Sequence, residues 1–367
     1  MRRLVHFLSG LEVGGKERVA LRLATRGRLE NLDHRLLLFD SPYRNPELDF
    51  DPGCVPVDFL RRGPGIDWRF ARRVARLLEE RDAEVIHAHN DSAMFYGAIA
   101  AWFVRGRKPA VVCTFHTRPS HVTWAARFLS RWASTRIGRV VTVSEQLGEL
   151  LVSTRWIRDF TTVWNGIELD EYNPGGASGG WHRRLEVPEG ALLVGHVGRF
   201  DPIKRHVDLL EAARTLRGHE PPLVFVLVGQ GPASGSIQAE ARGCDHIRFV
   251  PRVKDTAGFF RDLDLFVLCS HHEAAPCVML EAMASGLAIV STDVGGIPYI
   301  LNAHGTTCGR LLPPGRSDLL TQAISELARD PERRRILGGL ARRRAEEVFS
   351  ADQEWEQYRK IYLEVMA

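Results

Sequence analysis

The residues best placed for chemistry lie in one short stretch, residues 270–286, which follows an apolar run. Pro276 suits the first turn of a helix that the closing glycine would end. Glu273 would then lie on the loop before the helix and Glu281 inside it, with the free amides near Val278 between them. Amides at a helix N-terminus favour phosphate, and the two carboxylates suit hydroxyl groups on either side of it. The stretch therefore predicts a site for a phosphorylated, hydroxyl-rich ligand.

A loop with two cations is the second candidate. Arg199 and Lys204 are five residues apart, just beyond an apolar run that predicts a strand, and ligands of open α/β sheets bind at the carboxyl ends of strands. Two cations on one loop can both face a diphosphate and neutralise the charge that develops as it departs. The alternative is that both are solvated surface cations.

A pair of glycines, Gly14 and Gly15, follows the first predicted strand and precedes a predicted helix. Glycines at such a turn let the backbone approach a ligand, and the helix amides favour an anion such as a diphosphate. The pair does not form the G-x-G-x-x-G dinucleotide motif. An ordinary tight turn explains it equally well.

The elements that must position these residues repeat along the chain, because short apolar runs alternate with longer segments of helical periodicity. This alternation predicts parallel sheets covered by helices, and strands that are apolar throughout are buried on both faces, as in a doubly wound fold. The predicted strands are residues 4–8, 35–39, 85–87, 110–115, 140–143, 162–164, 192–197, 224–228, 247–250, 265–268 and 288–291. The predicted helices include residues 16–29, 68–80, 122–135, 206–216 and 277–285.

The pattern of strands and helices stops and starts again, which predicts two domains. Residues 171–190 contain a glycine-rich run at 173–180 followed by polar residues, and they suit a linker. We therefore expect one Rossmann-like domain at residues 1–170 and a second at 191–350. A C-terminal helix would occupy residues 351–367, within a charged tail that is helical from residue 330 onwards.

The composition indicates in which cellular compartment the protein functions. The chain has 367 residues, 44% of them hydrophobic, which is enough for two cores. Its six cysteines form no C-x-x-C pair, and its apolar runs are too short for a signal peptide or a spanning helix. We expect a cytoplasmic protein whose contact with a membrane, if any, is peripheral.

Charge is distributed unevenly. Residues 1–170 hold 26 Lys and Arg against 20 Asp and Glu, whereas the whole chain carries a net charge of only +4. This asymmetry suggests that the first domain meets a membrane surface or an acidic acceptor, and it is too weak to indicate nucleic acid. A solvated, Arg-rich surface is the alternative.

Taken together, these motifs resemble glycosyltransferase family 4, a family of retaining enzymes with the GT-B fold. The frame from Glu273 to Glu281, continuing to residue 286, is similar to the signature of that family. Further similar segments occur in the order of the family along essentially the whole chain: residues 14–18, 87–89, 114–116, 143–145, 165–167, 199–204 and 229–232.

The resemblance implies a fold of two Rossmann-like domains that face each other across a cleft, with the acceptor bound mostly by the first and the donor nucleotide mostly by the second. It also implies roles for individual residues. His116 and Glu273 would contact the transferred sugar, and Glu281 would contact the ribose. The donor diphosphate and nucleotide would be held by Arg199, Lys204, Gly14, Gly15, Arg252, Val278 and Met279.

The implied activity is transfer of a hexose from a nucleotide diphosphate sugar, with UDP favoured as the nucleotide, to a glycan or lipid-linked acceptor in cell-surface polysaccharide synthesis. The implied mechanism retains anomeric configuration and needs no metal or other cofactor. Residues 274–278 differ from many relatives, so the sugar pocket is expected to differ in shape. We also expect His87 and His89 to contact the acceptor; the alternative is a hydrogen-bonded, structural role, which is common for histidines at strand ends.

Two other functions are compatible with these motifs. A nucleotide-sugar epimerase of the same fold and a non-catalytic nucleotide-sugar binding protein remain the alternatives, and a nicotinamide oxidoreductase lacks its glycine motif. Asp262 and Asp264 imitate a metal-binding D-x-D motif but precede a buried strand. His271 and His272 are adjacent and lack the spacing of a zinc site.

Overall fold

The fold is described from a computed structural model that covers residues 3–12, 14–42, 51–119, 123–303 and 305–367. The chain divides into two compact units. The first unit comprises residues 1–165 together with 354–367, and the second comprises residues 166–353.

The first unit is built on a parallel sheet of seven strands in the order β3-β2-β1-β4-β5-β6-β7. The order reverses between β1 and β4, so the loops that follow these two neighbouring strands diverge and leave space at their carboxyl ends. The strands are β1 (Arg3–Leu8), β2 (Asp33–Leu38), β3 (Val57–Phe59), β4 (Val85–His89), β5 (Ala110–Phe115), β6 (Arg139–Thr142) and β7 (Thr161–Thr162).

Helices cover this sheet and bury apolar side chains against the strands. In α2, for example, Phe70, Val74 and Leu78 recur at helical spacing and are buried, while Asp67 accepts a hydrogen bond from the N–H of Phe70 and caps the first turn. The helices are α1 (Gly15–Leu29), α2 (Trp68–Glu80), α3 (Asp91–Phe103), α4 (Trp124–Ser134) and α5 (Glu145–Ser153).

The second unit contains a parallel sheet of six strands in the order β10-β9-β8-β11-β12-β15 and a short antiparallel pair, β13 with β14. Its order reverses between β8 and β11. The strands are β8 (Leu192–Val197), β9 (Leu223–Val228), β10 (Ile247–Val250), β11 (Leu265–Leu268), β12 (Ala288–Thr292), β13 (Asn302–Ala303), β14 (Thr306–Thr307) and β15 (Arg310–Leu312).

The helices of the second unit bury a continuous apolar core against this sheet, in which Leu210, Phe225, Val267 and Ile324 are almost wholly enclosed. A 3₁₀ turn at Pro202–Lys204 precedes α7. The helices are α6 (Trp181–Arg184), α7 (His206–Thr215), α8 (Ser234–Glu240), α9 (Thr256–Arg261), α10 (Cys277–Ala284), α11 (Ile297–Leu301), α12 (Ser317–Arg329) and α13 (Pro331–Val348).

The last helix, α14 (Ala351–Met366), continues from the second unit into the first. Within the first unit it buries Glu354, Tyr358 and Tyr362. The guanidinium of Arg22 on α1 lies 2.7 Å from the Glu354 carboxylate. The C-terminal residues 354–367 therefore complete the first unit instead of forming a separate element.

The α/β fold of two Rossmann-like, doubly wound domains predicted from the sequence is confirmed. Several elements have the predicted bounds, among them α2, β5, β8, β10 and β11. Short strands at sheet edges, such as β3 and β15, were not predicted because three residues carry too little periodicity. The predicted helix at 122–135 begins at Trp124 within the described residues, and residue 122 lies outside them.

The predicted linker at residues 171–190 lies inside the second unit, whose boundary falls at residue 165. Tyr172 and Trp181 are buried there, and the side chain of Arg261 donates to the carbonyls of Glu171 and Ala177. Aromatic anchors and these hydrogen bonds outweigh the low propensity of a glycine-rich segment to pack.

No helix in the described ranges is both long enough and apolar enough to cross a membrane.

Candidate functional site

In the second unit, the two most informative motifs of the sequence meet where the strand order reverses. The loop with Arg199 and Lys204 follows β8, and the loop with Glu273 follows β11, the next strand in the sheet. Because the strands are parallel, both loops leave the same edge. Residues 69 positions apart in sequence are thereby brought into contact.

The contact joins the Lys204 ammonium and the Glu273 carboxylate, with Nζ 2.5 Å from Oε1. Ser270 Oγ donates to the same oxygen at 2.6 Å. Glu273 is buried and the Lys204 side chain is mostly enclosed. An ammonium has three N–H donors, so Lys204 can hold Glu273 and also donate to a phosphate, while Arg199 beside it is exposed.

Glycines let the backbone pack closely around this pair. Gly229 follows β9 with φ +146°, and a Cβ there would lie 1.9 Å from the carbonyl oxygen of Gly198. Gly295 follows β12 with φ +55°, and its Cβ would lie 1.7 Å from the carbonyl oxygen of Glu273. Gly295 was missed from the sequence, although the pair at 295–296 directly after a predicted strand is a signal that could have identified it.

Helix α10 starts after Pro276, as predicted, and ends before Gly286, which has φ +72°. Glu281 on this helix is buried. The N–H of Met279 donates to the carbonyl of Pro276 at 3.0 Å and its side chain is buried, whereas Val278 is half-buried. Val278 is therefore the more accessible of the two residues predicted to bind the donor.

Arg252 follows β10, two strands away from β8 in the sheet, and is half-buried. It lies at the same carboxyl edge as Arg199 and Lys204 because all these strands are parallel.

In the first unit, Gly14 caps α1 and Gly15 begins it, as the sequence predicted. The carboxylate of Glu17 folds back to this helix terminus, because a Cβ on Gly14 would lie 2.6 Å from Glu17 Oε2. Burial raises the pKa of Glu17, and the ammonium of Lys16, 3.0 Å from Oε1, opposes that rise. A diphosphate at this terminus would therefore displace a carboxylate or favour its protonation.

His116 follows β5 and its Nε2 lies 2.9 Å from Nδ1 of His89 at the end of β4. Burial lowers the pKa of His116 to about 3, with smaller effects from Lys16 and Arg22, so its ring is neutral at pH 7. The Nδ1 atom of His116 is buried and has no hydrogen-bond partner in the part of the chain that the structure describes.

The expectation that His87 and His89 contact an acceptor is wrong, because both are buried inside the first unit. His87 Nδ1 lies 2.7 Å from the hydroxyl of Tyr362, and its Nε2 lies 2.8 Å from Oγ1 of Thr114. Helix α14 supplies the tyrosine, and no local pattern in the sequence indicates that contact.

The D-x-D carboxylates bind backbone amides. Asp262 accepts from the N–H groups of Gly179 and Trp181, and Asp264 accepts from the N–H of Leu193. These hydrogen bonds hold residues 179–181 and β8 in place, which is a structural role.

Three buried histidines, His6, His87 and His89, place ring nitrogens within 4.8 Å of one another, close enough to share a metal ion. Each of their six nitrogens already has a hydrogen-bond partner, on His34, His116, Thr114, Tyr362 or within the trio. The trio is therefore arranged for hydrogen bonding.

Comparison with known proteins gives matches over both units. The sequence model of the family described as Glycosyltransferase Family 4 matches residues 13–171, and that described as Glycosyl transferases group 1 matches residues 180–344. The chain is 26% identical to N-acetyl-alpha-D-glucosaminyl L-malate synthase of Bacillus anthracis over 328 residues, which span 88% of this chain and 85% of that protein.

Two further similarities cover most of the chain. It is 27% identical to phosphatidyl-myo-inositol mannosyltransferase of Mycolicibacterium smegmatis over 361 residues, 92% of this chain and 86% of that protein. Its fold matches HepE of Anabaena, solved in complex with UDP-glucose, with a TM-score of 0.81 at 21% identity, over 97% of this chain and 98% of that one.

Proposed function

We propose that the protein transfers a hexose from a nucleotide diphosphate sugar with retention of anomeric configuration. The proposal starts from the family: the chain belongs to glycosyltransferase family 4, has the GT-B fold and is a glycosyltransferase. The observation that carries this proposal is the pair of Lys204 and Glu273 where the strand order of the second unit reverses. A cation and a carboxylate held together there match the two parts of such a donor, its diphosphate and its sugar hydroxyls.

The donor diphosphate would lie against Lys204 and the exposed Arg199. Cations preorganised around a leaving diphosphate stabilise the charge that develops as the glycosidic bond breaks. Ser270 and Lys204 both bind Oε1 of Glu273. The second carboxylate oxygen of Glu273 would then accept hydrogen bonds from the transferred sugar.

Other residues would complete the donor site. Glu281 would bind the ribose, and Arg252 and Val278 would lie beside the nucleotide and its phosphates. His116 would contact the transferred sugar, and the amides of Gly14 and Gly15 would help to hold the diphosphate. UDP is the favoured nucleotide, and HepE, which shares the fold, was solved with UDP-glucose. Neither a metal nor another cofactor is part of this proposal.

The acceptor we propose is a glycan or lipid-linked molecule at the cytoplasmic face of a membrane, used in cell-surface polysaccharide synthesis. One surface of the first unit supports it. Helix α3 packs between α2 and α4, and the outer face of α2 is strongly basic, with Arg69, Arg72, Arg73 and Arg76 all exposed. We call the exposed faces of α2 and α4 the basic-aromatic surface.

Large apolar side chains on the same surface are exposed. Trp124 and Phe128, one turn apart on α4, are 81% and 63% exposed, and Trp68 at the start of α2 is 52% exposed. Aromatic rings beside cations suit the interface of an anionic bilayer. Such a surface would hold the enzyme peripherally beside a lipid-linked acceptor.

A panel of nucleotide diphosphates and their sugars tests the proposal by thermal shift, because a ligand that binds only the folded state raises the melting temperature. We expect one UDP-sugar to give the largest shift and to be consumed only when an acceptor is added. Epimerised donor without acceptor would indicate the epimerase, and binding without turnover would indicate a non-catalytic protein. No shift with any nucleotide would contradict the donor assignment.

A further inference from the structure

Four histidine rings form a continuous hydrogen-bonded chain through the sheet of the first unit. It runs from His34 on β2 through His6 on β1 and His89 at the end of β4 to His116 after β5. Nδ1 of His34 is 3.2 Å from Nε2 of His6, and Nδ1 of His6 is 3.3 Å from Nε2 of His89. The last link, from Nδ1 of His89 to Nε2 of His116, is 2.9 Å. We call these rings the histidine chain.

All four rings are neutral at pH 7. Burial is the largest cause that lowers the pKa of each ring, and it brings the pKa of His34 and His116 to about 3. A neutral imidazole has one N–H donor and one bare nitrogen that accepts. Every link needs one of each, so the protons must be placed in the same sense along the whole chain.

Only two proton arrangements satisfy this condition. Either every ring carries its proton on Nδ1, or every ring carries it on Nε2. Converting the first into the second takes up one proton at Nε2 of His34, moves one proton across each of the three links and releases one from Nδ1 of His116. The tautomer of His116 is thus tied to that of His34, three strands of the sheet away.

Nearby charge favours one arrangement. Lys16 and Arg22 act on His116, whereas Arg28 alone acts on His34. Both cations near His116 are paired with carboxylates, yet both still lower its pKa. Positive charge at the His116 end favours protons placed toward His34. In addition, a proton on Nδ1 of His116 would be buried with no acceptor among the described residues, which is costly. Both effects favour a bare Nδ1 there.

We propose that the other three rings of the histidine chain hold His116 in its Nε2–H tautomer, so that its buried, unpartnered Nδ1 accepts a hydrogen bond from a hydroxyl of the donor sugar. His34, His6 and His89 are then positioning residues that touch no substrate. The role of His116 toward the donor rests on the proposed function, whereas the shared tautomer does not.

The first test needs no ligand. ¹⁵N NMR of the imidazoles in the wild-type protein distinguishes a protonated from a bare ring nitrogen. We expect Nε2–H in all four rings of the chain at neutral pH. Mixed tautomers along the chain, or Nδ1–H throughout, would overturn the proposal. One tightly bound metal ion per chain, detected in the purified protein and ligated by His6 and His89, would overturn it as well.

The second test uses the end of the chain farthest from His116. His34→Leu leaves the Nε2–H of His6 without an acceptor, which favours reversal of the chain. We expect the donor KM to rise by about two- to tenfold, the equivalent of one hydrogen bond, with the acceptor KM unchanged. His34→Asn places an amide oxygen near the position of Nδ1 and should restore the wild-type donor KM.

A matched control perturbs the same core while leaving every hydrogen bond of the histidine chain in place. Tyr362→Phe removes the hydroxyl that contacts His87 Nδ1 and should leave both the His116 tautomer and the donor KM unchanged. A rise in donor KM in this control equal to that in His34→Leu, or no rise in a folded His34→Leu, would overturn the proposal. If the protein binds no nucleotide sugar, the proposed function fails while the tautomers still decide the structure of the chain.

Discussion

Glu273 and Lys204 lie on loops that leave neighbouring strands at the point where the strand order of the second unit reverses, and their carboxylate and ammonium groups are 2.5 Å apart. The pair couples the part of the site proposed for the sugar to the part proposed for the diphosphate. Ser270 holds the same carboxylate oxygen, so Glu273 is oriented before any ligand arrives.

Removing either member of the pair should abolish most transfer while the protein stays folded. Loss of a preorganised charge at the reacting centre costs on the order of a hundredfold or more in rate. We expect this loss in both Lys204→Ala and Glu273→Ala, measured as steady-state transfer, with circular dichroism to confirm folding. Arg335→Ala, which removes an exposed cation paired with Glu332, is the control. Wild-type rates in both site variants would contradict the assignment.

Gly295→Ala should damage the site more than the fold. Its new Cβ would collide with the carbonyl oxygen of Glu273, only 1.7 Å away, so the Glu273 loop must shift. Gly315→Ala is a matched control, because Gly315 also has a positive φ, +75°, but no atom lies within 4 Å of its Cβ position. We expect both variants to lose stability because of the positive φ, Gly295→Ala more than Gly315→Ala because of its collision, and only Gly295→Ala to lose donor binding. Equal donor affinity in the two would argue against the contact.

Stability should decline in mild acid because of the buried histidines. Burial lowers the pKa of His34 and His116 to about 3 and that of His206 to about 4, whereas the unfolded chain takes up these protons near pH 6.5. Their contribution is complete above about pH 6.5 and is lost as the pH falls toward about 3 to 4. Each group can change the free energy of unfolding by up to about 1.4 kcal/mol per pH unit.

Urea unfolding at several pH values between about 7.5 and 5 measures this effect. A free energy of unfolding that does not change over this range would contradict the burial of these rings.

The ion pair between Arg22 and Glu354 should be essential to the first unit. Both side chains are more than nine-tenths buried, with exposed fractions of 7% and 1%. Removing one partner leaves a buried charge uncompensated, at a cost of about 3–5 kcal/mol. We expect Glu354→Ala to show this loss in urea unfolding. Glu356→Ala, an exposed position on the same helix, should change stability little, and similar losses in both would refute a specific role for the pair.

The basic-aromatic surface should bind anionic vesicles. Trp124→Ser with Phe128→Ser removes two exposed rings, and we expect flotation with phosphatidylglycerol vesicles to fall sharply while nucleotide-sugar binding persists. Leu29→Ser is the control, because Leu29 is 75% exposed at the end of α1 and lies outside this surface. If the wild-type protein does not bind anionic vesicles, the membrane part of the proposed function is wrong, and a water-soluble acceptor should be sought.

The sequence by itself determined the class of fold and the identity of the main motifs. Runs such as 192–197 and 265–268 became strands with the predicted bounds, because a buried strand must be apolar throughout and such a run is visible within a few residues. Helix α2 was predictable for the same reason, since its apolar residues recur at helical spacing. The frame from Glu273 to Glu281 likewise depends only on local order.

Tertiary structure alone decided which of these residues meet. Lys204 reaches Glu273 because β8 and β11 are neighbours, and the order of strands in a sheet is set by packing over long separations that no local period encodes. The histidine chain depends in the same way on the adjacency of four parallel strands. Helix α14 returns to the first unit because Arg22 and the core of that unit bury it, and a periodic pattern shows that a helix forms but not which surface will cover it.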